Sequence, residues 1–123
     1  MGDLSKNFSR YEFACHCGCG FDQVDSVLVR ALQTLRDRIA RPIHVLSGCR
    51  CRDHNQAVGG SPKSQHLIGR AADIMAVRLK PRDLAAVALG IEEFARGGIG
   101  IYPWGVHLDV RPDGPSRRAH GED

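Results

Sequence analysis

The chain has 123 residues, 42% of them hydrophobic and 25% charged, with a formal net charge of +3. That length and balance describe one globular domain with a modest core, and no apolar run reaches membrane-spanning length. The basic residues are scattered and the longest basic pair, Arg117-Arg118, lies near the C-terminus, so neither a nucleic-acid nor a membrane partner is expected.

Residues 1–8 read as an extended lead-in without the apolar stretch of a signal peptide, so a chain made in the cytoplasm without a leader is expected. Ser9-Arg-Tyr-Glu12 is a capping box and starts a helical turn. Gly18 and Gly20 make Cys15 to Gly20 a loop. Val27, Leu28, Ala31, Leu32, Leu35 and Ile39 recur at helical spacing, which predicts a helix over about 24–40, capped by Asp22 or Asp25. Pro42 to Ser47 reads as a strand, 53–58 as a helical turn, 59–62 as a loop and Ala71 to Val77 as an apolar strand. Pro81 opens a second helix expected to run to about Ala95. Ile99 to Tyr102 and Val106 to Val110 form a hairpin across a Pro-Trp-Gly turn. The order predicts a single α+β domain over 1–123, a small, mainly antiparallel sheet with flanking helices. Its core spans about 7–112, and 113–123 is expected to be a flexible tail.

The chemistry concentrates in Ser64, His66, Gly69, Ala71, Asp73 and His107. Two imidazoles and a carboxylate are a usual protein ligand set for catalytic zinc, which keeps a further position for water. That water serves as a hydrolytic nucleophile at neutral pH. His66 and Asp73 are seven residues apart, Gly69 lets the chain turn between them, and Ala71 and Ala72 permit close packing. A strand-borne His107 closes the set.

The motifs Asn7-Phe-Ser-Arg-Tyr-Glu-Phe-Ala-Cys15, Ser47-Gly-Cys-Arg50, Asn55-Gln-Ala-Val-Gly-Gly60, Ser64-Gln-His-Leu-Ile-Gly-Arg-Ala-Ala-Asp-Ile74 and the stretch from Gly97 to Arg111 resemble a zinc peptidase superfamily. It comprises D-alanyl-D-alanine carboxypeptidases and L-alanyl-D-glutamate endopeptidases, and it shares its fold with the hedgehog signalling domain. The resemblance covers roughly Asn7 to Pro112 and is strongest to small phage and bacterial wall peptidases. It implies that His66, Asp73 and His107 bind one catalytic zinc, and that the substrate is the peptidoglycan stem peptide. It also implies that Arg50 steadies the scissile carbonyl, a task suited to a fixed guanidinium. Ser64 and Gln65 are expected in the site wall. Many relatives carry Glu or Asp three residues before the last histidine, where this chain has Trp104.

Asp109 shares a strand face with His107. It is a candidate general base, a residue orienting His107, or a replacement ligand. Tyr102 and Trp104 either line the substrate groove or pack the hairpin. His44 reads as a core or supporting residue near Arg50. Cys15, Cys17, Cys19, Cys49 and Cys51 supply enough soft ligands for a second, structural zinc, with buried thiols or a disulfide as the alternatives. The expectation is a monomeric zinc peptidase of the cell wall, such as a phage endolysin or virion component. The alternative is an inactive domain that holds zinc and binds wall peptides.

Overall fold

A computed structural model describes residues 2–118. Five strands form one sheet in the order β1-β2-β4-β3-β5. They are β1 (Ile43–Ser47), β2 (Ala71–Ala76), β3 (Gly98–Tyr102), β4 (Gly105–Asp109) and β5 (Ser116–Arg118). All neighbours pair antiparallel except β3 and β5, which are parallel. The α+β, mainly antiparallel architecture expected from the sequence is therefore the one observed.

Four helices flank the sheet: α1 (Ser26–Ile39), α2 (Arg52–Ala57), α3 (Pro81–Leu89) and α4 (Glu92–Ala95). Asp25 caps α1 by accepting a 2.7 Å hydrogen bond from the Val27 backbone N–H, which satisfies a donor the helix leaves unpaired. The helix buries Leu28, Val29, Ala31, Leu32 and Leu35. The capping box at Ser9 and Glu12 forms and starts a 3-10 turn over Arg10–Phe13. The single helix expected over 81–95 is two. Gly90 ends α3, and Ile91 turns extended and buried before α4 starts.

Strand alternation divides the sheet into two faces. Ala72, Ile74 and Ala76 on β2, Ile99 on β3, and Val106 and Leu108 on β4 enter the hydrophobic core with Phe8, Phe13 and Phe94. Asp73 and His107 occupy the other face. The tail expected after Pro112 is ordered further than the sequence suggested. Arg117 donates to the carbonyls of Gly97 and Ala95 at 2.9 and 2.6 Å, which ties β5 to the edge of β3. Residues 119–123 of that tail lie outside the described residues. No helix among the described residues is long and apolar enough to cross a membrane.

Candidate metal centre and groove

Register builds the centre of the site. Asp73 on β2 lies directly opposite His107 on β4, so both side chains rise from the same face at one level. His66 arrives on a 3-10 turn over Gln65–Ile68, capped by Ser64, whose Oγ accepts the His66 backbone N–H at 3.2 Å. Gly69 closes the turn in the left-handed conformation. The ligand-type atoms of His66, Asp73 and His107 lie within 4.8 Å of one another.

Each imidazole is held by the nitrogen that does not face Asp73. His66 Nδ1 is 2.6 Å from the Gly48 carbonyl. A carbonyl only accepts, so Nδ1 carries the proton and Nε2 presents its lone pair to Asp73 Oδ1 at 3.2 Å. His107 is arranged in reverse: Nε2 is 2.8 Å from Asp109 Oδ2, and Nδ1 is 3.0 Å from Asp73 Oδ1. Such partners fix ring orientation and tautomer in metal sites. Zinc bonds of about 2.0–2.1 Å set tetrahedral donors about 3.3 Å apart, close to the separations here. The residues present therefore suit a zinc ion.

Asp109 is fully buried on the far side of the His107 ring. Its oxygens are already occupied: Arg111 donates through Nε at 2.9 Å and Nη2 at 2.7 Å, and its backbone N–H donates at 3.1 Å. Burial opposes ionisation, but Arg111 and then His107 hold the carboxyl well below the usual carboxylate range. Gly98 makes room for it, since a Cβ there would sit 2.1 Å from Asp109 Oδ2. Asp73 is likewise held low, against burial, by the His107 and His66 imidazoles that face it. Burial works against a proton on His107, yet Asp109 and Asp73 on its two nitrogens raise its pKa.

Arg50 stands beside this cluster. Its Nη2 donates to Asp73 Oδ2 at 3.0 Å and its Nε to Ser47 Oγ at 3.1 Å. Asn55, buried on α2, accepts from Nη1 at 3.4 Å and donates to the Ser61 carbonyl at 2.8 Å. The guanidinium thus bridges a ligand-type carboxylate and the 58–61 loop.

The three residues lie at the base of a groove of about 520 Å³. Arg50, Lys63, Arg111 and Arg118 line it, and Asp73 is its one carboxylate among the described residues. Gln65 Oε1 is buried with no hydrogen-bond partner. Tyr102 and Trp104 stack face to face at the groove wall, 5.0 Å between centroids and 3° between planes. His44 departs from expectation: it is exposed on β1.

Lys63, Arg111, Arg118 and Asn55 were not anticipated as groove or supporting residues. The alternating spacing His107-x-Asp109-x-Arg111, which continues past the end of β4 at Asp109, was the available signal for Arg111. The parallel docking of β5 that brings Arg118 had no local signal.

Four cysteines, Cys15, Cys17, Cys19 and Cys51, gather in a separate cluster. Burial opposes ionisation of Cys15, but backbone N–H groups of Cys51 and Cys17 bring its thiol down to about 7. Hydrogen bonds with Cys19 and Cys15 push Cys17 up to about 12. Cys49 stands apart from the cluster, a buried thiol that burial and then Asp22 push up to about 11.

A family model described as Peptidase M15 matches residues 6–109 of the chain. No curated protein matches it.

Proposed function

The chain belongs to the peptidase M15 family, and from that premise we propose that it is a zinc-dependent hydrolase of peptide bonds in the peptidoglycan stem. One observation carries the reading. Two imidazoles, each held by its outer nitrogen, converge with a carboxylate at the base of a cationic groove.

His66 Nε2, Asp73 Oδ1 and His107 Nδ1 would hold the ion. Bound there, zinc supplies Lewis acidity toward a peptide carbonyl and makes a water acidic enough to act as nucleophile. The chain's own residues do the rest. Arg50 has a guanidinium fixed at three points, which suits it to a substrate oxygen that gains charge. Gln65 Oε1 is an unsatisfied acceptor suited to a substrate amide N–H. Lys63, Arg111 and Arg118 favour a peptide that carries free carboxylates, and the stem peptide does. Asp109 orients His107; the ring stands between its carboxylate and the groove, so we do not assign it the role of general base.

That Asp73 is the one groove carboxylate among the described residues supports one other reading: a domain that holds zinc and binds wall peptides without cutting them. Purified peptidoglycan separates the two. A chelator should abolish release of fragments, and zinc should restore it. Mass spectrometry of the released muropeptides then identifies the bond. Stoichiometric binding without turnover, at saturating zinc, would establish the non-cleaving domain instead.

A further inference from the structure

The cysteine cluster takes no part in the groove chemistry, yet it is built like a ligand set. The Sγ atoms of Cys15, Cys17, Cys19 and Cys51 all lie within 4.8 Å of one another. Cys17 Sγ is 3.5 Å from both Cys15 Sγ and Cys51 Sγ. A tetrahedral zinc with Zn–S bonds of about 2.3 Å holds its sulfurs about 3.8 Å apart.

We propose that Cys15, Cys17, Cys19 and Cys51 form a second, closed metal site, which binds a structural zinc ion through four thiolates. Four sulfurs fill a tetrahedral shell and leave no position for water, which is the arrangement of a structural rather than a catalytic ion. A tetrahedral all-sulfur set also selects thiophilic ions over the hard cations.

The backbone is shaped for this convergence. In an extended strand, residues two apart share a face but stand about 6.6 Å from each other, too far for three sulfurs of a Cys-x-Cys-x-Cys run to meet. Left-handed turns at Gly18 (φ 83°) and Gly20 (φ 90°) fold the run back on itself. Two backbone donors already point at the sulfurs: Cys51 N–H to Cys15 Sγ and His54 N–H to Cys51 Sγ, each at 3.4 Å. Donors of this kind favour the thiolate form that a metal requires. Cys17 and Cys19 are exposed, so hydrophobic burial does not account for their presence. Cys49 is not among the converging sulfurs.

The site has a structural consequence for the groove. Cys51 directly follows Arg50, and the same stretch provides the Gly48 carbonyl that orients His66. The ion would tie the 15–20 loop to that stretch. It would add a fixed point beside the existing bonds from Cys49 to Phe13 and from Arg50 N–H to the His66 carbonyl at 3.0 Å.

Cobalt loading of the full chain, purified under reductant, tests the proposal without reference to activity. The His66, Asp73 and His107 set contains no sulfur, so thiolate-to-cobalt charge-transfer absorption reports only the cysteine cluster. The wild-type chain should show that absorption and bind two metal equivalents by elemental analysis. Cys17→Ser and Cys19→Ser should each lose the absorption and one equivalent, while Cys49→Ser keeps both. His66→Ala should lose one equivalent and keep the absorption. The proposal is overturned if the wild-type chain shows no thiolate absorption, if its single metal equivalent disappears in His66→Ala, or if the reduced preparation carries a disulfide within the cluster.

Discussion

The two candidate ligand clusters of this molecule are held in opposite ways. Asp73 and His107 stand on paired central strands, where backbone register alone brings them together. His66 is buried, and its outer nitrogen is anchored on a carbonyl. The cysteines hang from a glycine-containing loop and from the residue that caps the six-residue α2. A sheet-borne site is preorganised before any ion arrives, and an ion bound there can be spent on chemistry. A loop-borne site lacks that scaffold, so an ion bound there orders the chain.

Removing Asp73 should break the comparison most severely. Asp73→Ala takes away one ligand and the partner of both imidazoles and of Arg50. Fragment release from peptidoglycan should fall below detection and one metal equivalent should be lost. The thiolate-to-cobalt absorption should survive. Loss of both metals would mean that the clusters are not independent.

Metal removal should then affect the two regions unequally. Hydrogen exchange on the chelated protein should show faster opening in residues 15–20 and 48–52, with β2 and β4 still protected. Uniform loss of protection would contradict a preformed sheet site.

Much of this contrast was legible in the sequence. His66, Asp73 and His107 were singled out as candidates from their spacing together with the family resemblance, and strand alternation accounts for Asp73 and His107 sharing one sheet face. The same rule correctly set Asp109 on the face of His107. It could not say which imidazole nitrogen the carboxylate would take. That choice follows from Arg111, which holds both Asp109 oxygens and keeps them beside Nε2. The helix break at Gly90 and the pairing of β5 with β3 were missed for related reasons. Each depends on packing between distant segments, and local propensity carries no record of it. Cys49 and Cys51 looked equivalent at two residues apart, but Cys51 caps α2 with its sulfur in the cysteine cluster, whereas Cys49 is buried apart from it.

Asp109→Asn sharpens the orienting role. Partners of metal-bound histidines are worth about 10- to 100-fold in metal affinity. The variant should bind zinc that much more weakly and regain most of its turnover at saturating zinc. A kcat that stays low with the metal site full would return Asp109 to the proton-transfer step. The metal-free proteins should also differ in acid. The folded pKa of Asp109 is depressed, so its contribution to stability is complete above the unfolded carboxylate value of about 3.9 and is lost as pH falls below it. Asp109→Asn should flatten that acid limb in thermal unfolding scans.

The smallest expected effect belongs to Trp104, and it separates binding from chemistry. The ring stacks on Tyr102 at the groove wall and is 45% exposed, so half of its surface is offered to a ligand. An aromatic contact of this kind is worth about 1 kcal/mol. Trp104→Ala should therefore raise KM a few-fold and leave kcat and metal content unchanged. Trp104→Glu asks the converse question, because it introduces a carboxylate where relatives often carry one. If the groove lacks only a proton acceptor, kcat should rise in Trp104→Glu while Trp104→Ala shows no such gain. An unchanged kcat in both variants would mean that the chain's own groups already manage the proton, with the aromatic pair serving only to hold the substrate.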